Sequence, residues 1–213
     1  MATDLLERYA GLLGAWPGLV SGPPGPLVDD SLALIADLAG ARTLVDVGSG
    51  GGMPGLPLKA VRPDLAVTLL EADRRKAAFL VDASARLGLD VAVVAERAET
   101  AGRGPLRESF DVAVCRALAP MPVLVELCLP LVRVGGRLLA MKGEGEVEAE
   151  LEQAAGAIAA LGGGDPVVRP APSAARERGV VVAVPKVAPT PAAYPRRPGL
   201  PARRPLVAGP RTL

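Results

Sequence analysis

The sequence contains no histidine and no asparagine, and it has a single glutamine, Gln153. Without histidine, the chain lacks the most common general base, the most common metal ligand and every Ser-His-Asp or Cys-His catalytic arrangement. Its two cysteines, Cys115 and Cys128, are too few for a disulfide framework, and without histidine they do not make a zinc site. We therefore expect no metal, and a reaction that needs little proton transfer or that relies on carboxylates and lysine.

Long apolar segments are also missing. No uninterrupted run of about 18 apolar residues occurs, and no basic segment followed by an apolar one begins the chain. We therefore expect neither a membrane span nor a signal peptide, and we place the protein in the cytoplasm. A chain of 213 residues, 50% of them hydrophobic, can bury one sizeable core, which predicts a single domain.

Acidic residues are absent from the last part of the chain. The net charge is only +1, but the segment from residue 180 to residue 213 has no acidic residue and six basic ones: Lys186, Arg196, Arg197, Arg203, Arg204 and Arg211. A basic, proline-rich tail is most often a solvated extension, and it is also typical of an arm that binds nucleic acid. Charge alone leaves both interpretations open.

The most informative segment that is present covers residues 44–55, Leu-Val-Asp-Val-Gly-Ser-Gly-Gly-Gly-Met-Pro-Gly. An apolar run ends at Asp46, a glycine-rich turn follows, and Pro54 suits the first turn of a helix. Glycines let the backbone approach a ligand, and the first turn of a helix offers free N–H groups. The segment therefore predicts a nucleotide-like ligand at the end of a parallel strand.

A second apolar run, over residues 67–71, ends at Glu71, where an acid can accept hydrogen bonds from ribose hydroxyls. Gly50, Gly52 and Gly55 match the dinucleotide pattern G-x-G-x-x-G, but the first of these glycines comes late. Pro54 also lacks an N–H at a point where a pyrophosphate needs donors. Asp46, two residues before the first glycine, favours S-adenosylmethionine, so a methyltransferase is the first hypothesis and a dehydrogenase the alternative.

Helix and strand patterns alternate along the chain. We predict helices over 4–15, 30–39 (with Asp29 or Asp30 as N-cap), 54–61, 74–87, about 121–132 and 145–161. The predicted strands cover 43–47, 66–71, 90–95, 110–115, 137–142, 167–168 and 179–184, with loops over 17–26 and 96–108. This order indicates an α/β fold, with a mostly parallel sheet between helices and an antiparallel pair at the end.

Five motifs in this order resemble one family. They are Asp46-Val-Gly-Ser-Gly-Gly-Gly-Met-Pro-Gly-Leu-Pro-Leu58, Leu70-Glu-Ala-Asp-Arg-Arg-Lys76, Arg97-Ala-Glu99, Cys115-Arg-Ala117 and Met141-Lys-Gly143. The closing segment Tyr194-Pro-Arg-Arg-Pro-Gly-Leu-Pro201 also fits. Together they resemble RsmG (GidB), bacterial methyltransferases that modify N7 of a guanine in 16S ribosomal RNA. The resemblance covers about residues 27–207 and implies a Rossmann-like class I S-adenosylmethionine-dependent methyltransferase fold with an antiparallel edge strand.

The resemblance also implies a role for individual residues. Residues of the cofactor site would be Asp46, Gly48, Gly50, Gly52, Met53, Glu71, Ala98, Glu99 and Arg116. Glu71 would bind the ribose, while Ala98 and Glu99 would flank the adenine. Arg116 and Lys142 are the candidate catalytic residues, as donors to the target guanine. Arg196, Arg197, Arg203 and Arg204 are the candidates for contacts with RNA phosphates.

One position departs from the family pattern. The family has a His-x-x-Asp-Ser-Leu motif, and here Asp30-Ser31-Leu32 is present but Leu27 stands in place of the histidine. A methyltransferase of another substrate and a non-catalytic paralogue therefore remain alternatives. The expected partner is 16S ribosomal RNA in the small subunit, bound by a monomer. We divide the chain into a helical segment 1–40, a methyltransferase domain 41–190 and a basic tail 191–213.

Overall fold

A single sheet organises the molecule. The structure is a computed structural model that describes residues 2–206. Its strands are β1 (Thr43–Val47), β2 (Ala66–Leu70), β3 (Val91–Val94), β4 (Phe110–Arg116), β5 (Val132–Gly143), β6 (Val167–Pro170) and β7 (Gly179–Pro185). They are arranged in the order β3-β2-β1-β4-β5-β7-β6.

The first five strands are parallel, and β7 runs antiparallel to both of its neighbours, β5 and β6. The predicted α/β fold, with an antiparallel pairing at one edge, is confirmed. From β1 the chain continues to β2 on one side, whereas β4 lies on the other side. This reversal opens a crevice at the carboxyl ends of β1 and β4, where ligands bind in open α/β sheets.

Eight α-helices surround the sheet in the part of the chain that the structure describes. They are α1 (Ala2–Ala15), α2 (Pro24–Ser31), α3 (Gly55–Val61), α4 (Arg74–Leu87), α5 (Ala98–Ala101), α6 (Met121–Cys128), α7 (Glu144–Ala160) and α8 (Leu200–Arg203). Two 3-10 helices cover Leu32–Leu38 and Leu129–Leu131. Among residues 2–206, no helix is both long enough and apolar enough to cross a membrane.

Both faces of the sheet are buried. Successive residues of a strand point to opposite faces, so Leu44 belongs to a core shared with α1, α3 and α4, whereas Val45 belongs to a core shared with α6 and α7. This double burial explains why the central strands read as nearly continuous apolar runs. Asp46 is the exception in β1, and it lies on the α3 side.

Helix α4 illustrates how local sequence fixes an element. The side chain of Asp73 caps its first turn by accepting hydrogen bonds from the N–H groups of Arg75 and Lys76, at 2.8 and 3.1 Å. Gly88 ends it in the left-handed conformation, with a φ of 67°. Between these signals the apolar residues face the core, and the predicted span 74–87 is confirmed.

The predicted helix over 30–39 is wrong. An α-helix begins at Pro24 and ends at Ser31, and a 3-10 helix follows over Leu32–Leu38. Proline at the first helical position is well tolerated, because its missing N–H has no partner there. The side chain of Asp30 does not act as an N-cap, since it is buried and paired with arginines.

The boundary between α6 and β5 also differs from the prediction. Helix α6 ends at Cys128 rather than near 132, because Pro130 has no N–H with which to continue it. Strand β5 then begins at Val132, and its register on β4 shifts between Phe110 and Val112. The predicted loop over 96–108 also contains the short helix α5.

The register shift depends on a glycine, and we predict that Gly136→Ala destabilises the protein. A Cβ at Gly136 would overlap the backbone carbonyl oxygen of Asp111 on β4 and would lie 2.8 Å from Cγ1 of Val132. Overpacking of this kind typically costs about 1–3 kcal/mol. The free energy of unfolding, measured by urea denaturation, should fall by that amount.

Gly11→Ala is the matched control. Gly11 lies on the exposed side of α1, with no atom within 4 Å of an added Cβ. Alanine should stabilise this helix by about 0.5–1 kcal/mol. If Gly136→Ala and Gly11→Ala change the free energy of unfolding equally, the close approach of β5 to β4 at Gly136 is contradicted.

Candidate active site

A cavity of about 520 Å³ lies at the carboxyl ends of β1, β2 and β4. This volume is typical of sites for small molecules and cofactors. The loop after β1 forms one wall, the residues after β2 and β3 form the next, and Arg116 to Ala119, after β4, form the opposite wall. The strand order thus brings together residues that are far apart in the sequence, as predicted for an open parallel sheet.

The glycine-rich loop lines the cavity with its backbone. Gly48 and Gly50 adopt the left-handed conformation, with φ of 70° and 56°, and both line the cavity. The N–H of Gly48 donates to the carbonyl of Leu70 at 2.8 Å, which holds the loop against β2. Gly52 does not line the cavity. A Cβ there would overlap the side chain of Leu56 and crowd the hydroxyl of Tyr9. The role of Gly52 is to let the turn close.

Glu71 lies at the end of β2, as predicted, and both of its carboxylate oxygens have partners. Oε2 accepts the N–H of Gly50 at 2.8 Å, and Oε1 accepts the N–H of Asp73 at 2.8 Å. The carboxylate therefore joins the glycine-rich loop to the start of α4. A carboxylate oxygen has two lone pairs, so each can still accept a hydroxyl from a bound ribose.

Asp46 was predicted to contact the cofactor, but its side chain does not line the cavity. Its side chain is fully buried behind the loop, where Oδ2 accepts the N–H of Gly55 at 3.0 Å. Among the described residues, Oδ1 has no hydrogen-bond partner. Burial raises the pKa of Asp46 to about 7, and the nearby Glu71 adds to the shift. Asp46 therefore stabilises the glycine-rich loop from the buried side, away from the cavity.

Ala98 and Glu99, at the start of α5, line the cavity at the predicted place. Glu99 is buried, and its Oε1 accepts the N–H of Gly199 at 2.8 Å. Ala202 of α8 lines the same part of the cavity. The basic tail therefore contributes to the wall of the site, a contribution that no pattern in the sequence predicted.

Arg116 faces the cavity from the end of β4, as predicted. Its Nη1 donates to the carbonyl oxygen of Leu27 at 3.0 Å and lies 3.7 Å from the sulfur of Met53, which also lines the cavity. Its Nε is 3.9 Å from Oδ2 of Asp30. Burial lowers the pKa of Arg116, while the charge of Asp30 opposes that shift. A guanidinium stays charged in such a setting.

Lys142 does not line the cavity, and its catalytic role stays a prediction. Its ammonium donates to Oε2 of Glu150 at 2.6 Å and to the carbonyl of Ala119 at 3.0 Å. The same Glu150 oxygen accepts the N–H of Met121 at the start of α6. Lys142 thus joins β5 to α6 and α7.

Arg196, a predicted contact for RNA phosphates, has a partner within the protein, and its contact with RNA stays a prediction. Its guanidinium forms a bidentate salt bridge with Glu126, with Nε–Oε1 and Nη2–Oε2 distances of 2.8 and 2.6 Å. Glu126 is fully buried within α6, so it needs this cation. Arg197, Arg203 and Arg204 remain exposed, and Arg211 lies outside the described residues.

Sequence reasoning missed the contribution of α1 and the segment after it. The hydroxyl of Tyr9 donates to the carbonyl of Gly51 at 2.5 Å, and Leu19 and Leu27 line the cavity. A Cβ at Gly51 would meet the side chain of Leu13. The only signal in the sequence was the amphipathic pattern of α1, which indicates a buried face without naming its partner.

The arrangement fits S-adenosylmethionine. The glycines leave room for a ligand to approach the backbone, Glu71 can accept from a ribose, and Ala98 lies on the neighbouring wall. Among residues 2–206, no group of three or more side chains of the kinds that bind metals is found together.

Known proteins share both the sequence and the fold. The sequence matches the family described as GidB, rRNA small subunit methyltransferase G, over residues 26–172. Ribosomal RNA small subunit methyltransferase G from Moorella thermoacetica is 49% identical over 178 residues, which cover 82% of this chain and 74% of that protein. The protein of the same name from Roseiflexus castenholzii is 51% identical over 166 residues, covering 77% and 70% of the two chains.

A solved structure shows the same fold at much lower identity. The O-methyltransferase from Bacillus cereus, in complex with SAH, has a TM-score of 0.58 and 18% identity, and the match covers 87% of this chain and 90% of that one. The likeness extends the class I methyltransferase fold to nearly the whole structure. The extent and identity of the sequence matches establish that the chain belongs to the GidB family, rRNA small subunit methyltransferase G.

Proposed function

We propose that this protein transfers a methyl group from S-adenosylmethionine to N7 of a guanine in 16S ribosomal RNA. The observation that carries the proposal is the composition of the cavity. A glycine-rich loop and Glu71 form a cofactor cradle on one side, and Arg116, a charged hydrogen-bond donor, faces them from β4. Membership of the GidB family supports the same activity.

The choice of N7 fits a chain without histidine, in which Glu96 and Lys76 are the further titratable residues that line the cavity. N7 of guanine carries an exposed lone pair and no hydrogen, so its methylation requires no proton removal, whereas a sugar hydroxyl would need a base. The chain has no histidine, and the two buried carboxylates of the cavity, Glu71 and Glu99, already accept backbone N–H groups. Lys142 is held by Glu150 outside the cavity.

The residues of this chain act by alignment and by exclusion of water. When bound, S-adenosylmethionine supplies an electrophilic methyl group on its sulfonium. The glycine loop and Glu71 fix where that group lies, and Arg116 can donate to O6 of the target guanine, the edge adjacent to N7. Alignment alone is worth roughly 7–11 kcal/mol in well-oriented systems. Leu19 and Leu27 cover the same cavity with apolar surface.

The RNA partner is held outside the cavity by charge. Arg203 and Arg204 directly follow Ala202, which lines the cavity, and Arg197 is exposed in the same segment, so the three can meet phosphates near the target base. We further propose that the protein acts in the cytoplasm, as a monomer and without a metal, and that residues 41–190 form its methyltransferase domain.

The direct test is methyl transfer from labelled S-adenosylmethionine to small ribosomal subunits that lack the modification, followed by digestion of the RNA. A single 7-methylguanine in the decoding region would support the proposal. Methylation at another position or of another substrate would favour the alternative, a methyltransferase of another substrate. Tight cofactor binding without transfer would favour a non-catalytic paralogue, for which Leu27 in place of the family histidine is the motivating observation.

For the cofactor site, we predict that Gly48→Val weakens binding of S-adenosylmethionine. A Cβ at Gly48 would lie 2.5 Å from Cδ1 of Leu118, a wall of the cavity, and the φ of 70° strains any other residue. The strain costs about 1–3 kcal/mol of stability whether or not the cofactor is bound. The loss of affinity comes from the valine side chain and the displaced Leu118, which would fill part of the cavity. Isothermal titration calorimetry measures the change.

Gly40→Val is the control for this prediction. Gly40 has a φ of 75° but lies before β1, away from the cavity, with no atom within 4 Å of an added Cβ. It should lower stability and leave cofactor affinity unchanged. If Gly48→Val binds S-adenosylmethionine as tightly as the wild-type protein does, the glycine-rich loop is not part of the cofactor site.

For the RNA surface, we predict that the triple substitution Arg197→Ala, Arg203→Ala and Arg204→Ala weakens RNA binding but not cofactor binding. Each lost phosphate contact should reduce the slope of log affinity against log salt by about 0.7–0.9. Fluorescence titration of a decoding-region hairpin at several salt concentrations measures both quantities.

The matched control removes the same charge from surfaces outside the cavity, with Arg8→Ala, Arg42→Ala and Arg86→Ala. All three are exposed and none lines the cavity. If both triple variants lose the same affinity, only net charge matters, and the proposed surface is wrong.

A further inference from the structure

We propose that Arg176, on the turn between β6 and β7, is a positioning residue that keeps the guanidinium of Arg116 available to the base that accepts the methyl group. This inference rests on the proposed function, because it assumes that Arg116 donates to that base. It is carried by a buried group in which two arginines face a single carboxylate, that of Asp30.

Asp30 is bonded to the turn rather than to Arg116. Its side chain is only 1% exposed. Oδ1 accepts from the hydroxyl of Ser173 at 2.6 Å and from Nη2 of Arg176 at 3.2 Å, and Oδ2 accepts from Nε of Arg176 at 3.3 Å. Nε of Arg116 is 3.9 Å from Oδ2, which is an ion-pair distance but too long for a hydrogen bond.

The turn fixes the orientation of Arg176. Ser173 and Arg176 exchange two backbone hydrogen bonds, each of 3.1 Å, which close the turn. The Arg176 guanidinium also donates to the carbonyl of Val180 at 2.7 Å and to the carbonyl of Lys142. Backbone groups of β5 and β7 therefore hold this cation in place, independently of Asp30.

The charges in this group do not cancel. Arg116 and Arg176 carry two positive charges and Asp30 carries one negative charge, and the side chains of both arginines are largely buried, with exposed fractions of 19% and 15%. Arg116 is the one of the three that lines the cavity. Among the described residues, its Nη2 has no hydrogen-bond partner. A partly buried guanidinium with a free donor favours an acceptor such as O6 of guanine.

Arg176 acts on Arg116 through Asp30. If the charge beside Asp30 were lost, the nearest remaining cation would be Arg116, and a small movement would turn their 3.9 Å separation into a direct charge-assisted pair. That pair would occupy the donors of Arg116 and neutralise its charge. The turn thus prevents Asp30 from withdrawing Arg116 from the cavity.

The test combines substitutions at the two partners. Arg176→Gln removes the charge but keeps an amide that can still donate to Asp30, so the fold should be preserved. It should lower kcat by about 10- to 100-fold, the value of one hydrogen bond to a charged group, with little change in cofactor affinity. Arg176→Lys, which keeps the charge, should retain most of the activity. Arg178→Gln, on the same turn but 75% exposed, is the matched control and should have no effect.

The double variant Asp30→Asn with Arg176→Gln distinguishes positioning from a structural role. With the carboxylate neutralised, Arg116 is released, so the double variant should be faster than Arg176→Gln alone. If Arg176 were merely structural, the double variant would be as slow as the single one or slower. Either of those results would overturn the proposal.

A second readout does not depend on activity. The Nε–Hε resonance of Arg116 in 15N-labelled protein, assigned from its loss in Arg116→Lys, should move in Arg176→Gln and return in the double variant. A resonance that stays in place in Arg176→Gln would also overturn the proposal. If wild-type protein transfers no methyl group to small subunits, the proposed function fails, and the resonance still reports whether Asp30 captures Arg116.

Discussion

The structure depends on how the glycine-rich loop after β1 is held open. Two carboxylates hold backbone N–H groups of this loop from two sides. Glu71 accepts the N–H of Gly50, and Asp46 accepts the N–H of Gly55. The hydroxyl of Tyr9 fixes a carbonyl of the same loop. Because these contacts come from β1, β2 and α1, the shape of the loop is determined by the sheet and its covering helix together.

The ion pairs near the cavity distinguish cations that support the framework from those that are available to a substrate. Lys142 and Arg196 were both attractive as functional cations, yet each neutralises a carboxylate of the framework, Glu150 or Glu126. A buried carboxylate left without its cation is costly, so these pairs must be kept. Arg116 differs because its nearest carboxylate is already bonded to Arg176 and Ser173, which leaves a charged donor at the cavity wall.

Within the described residues, which end at Leu206, the basic tail is hydrogen-bonded to the methyltransferase domain. Arg107 donates to the carbonyls of Tyr194 and Thr190, Arg103 donates to that of Pro195, and Glu99 accepts from Gly199. The body of the protein thus holds the backbone of the tail, and the exposed arginines of the tail stay outward. One segment therefore contributes both a wall of the cofactor cavity and the charge that we assign to RNA binding.

The sequence by itself determined the elements whose signals are local. The loop over 44–55, the capped helix 74–87 and the acid at the end of β2 could be placed because each depends on neighbours along the chain. The family motifs identified Arg116 for the same reason.

Only the tertiary structure decided which charged side chains are free of an ion-pair partner, because the partners of Lys142, Arg196 and Asp30 come from other elements. It also decided that α1 covers the loop and that Arg176 faces Asp30, 146 residues away. Hydrophobic periodicity shows that a face is buried, but the element that covers it is set by packing across the whole sheet.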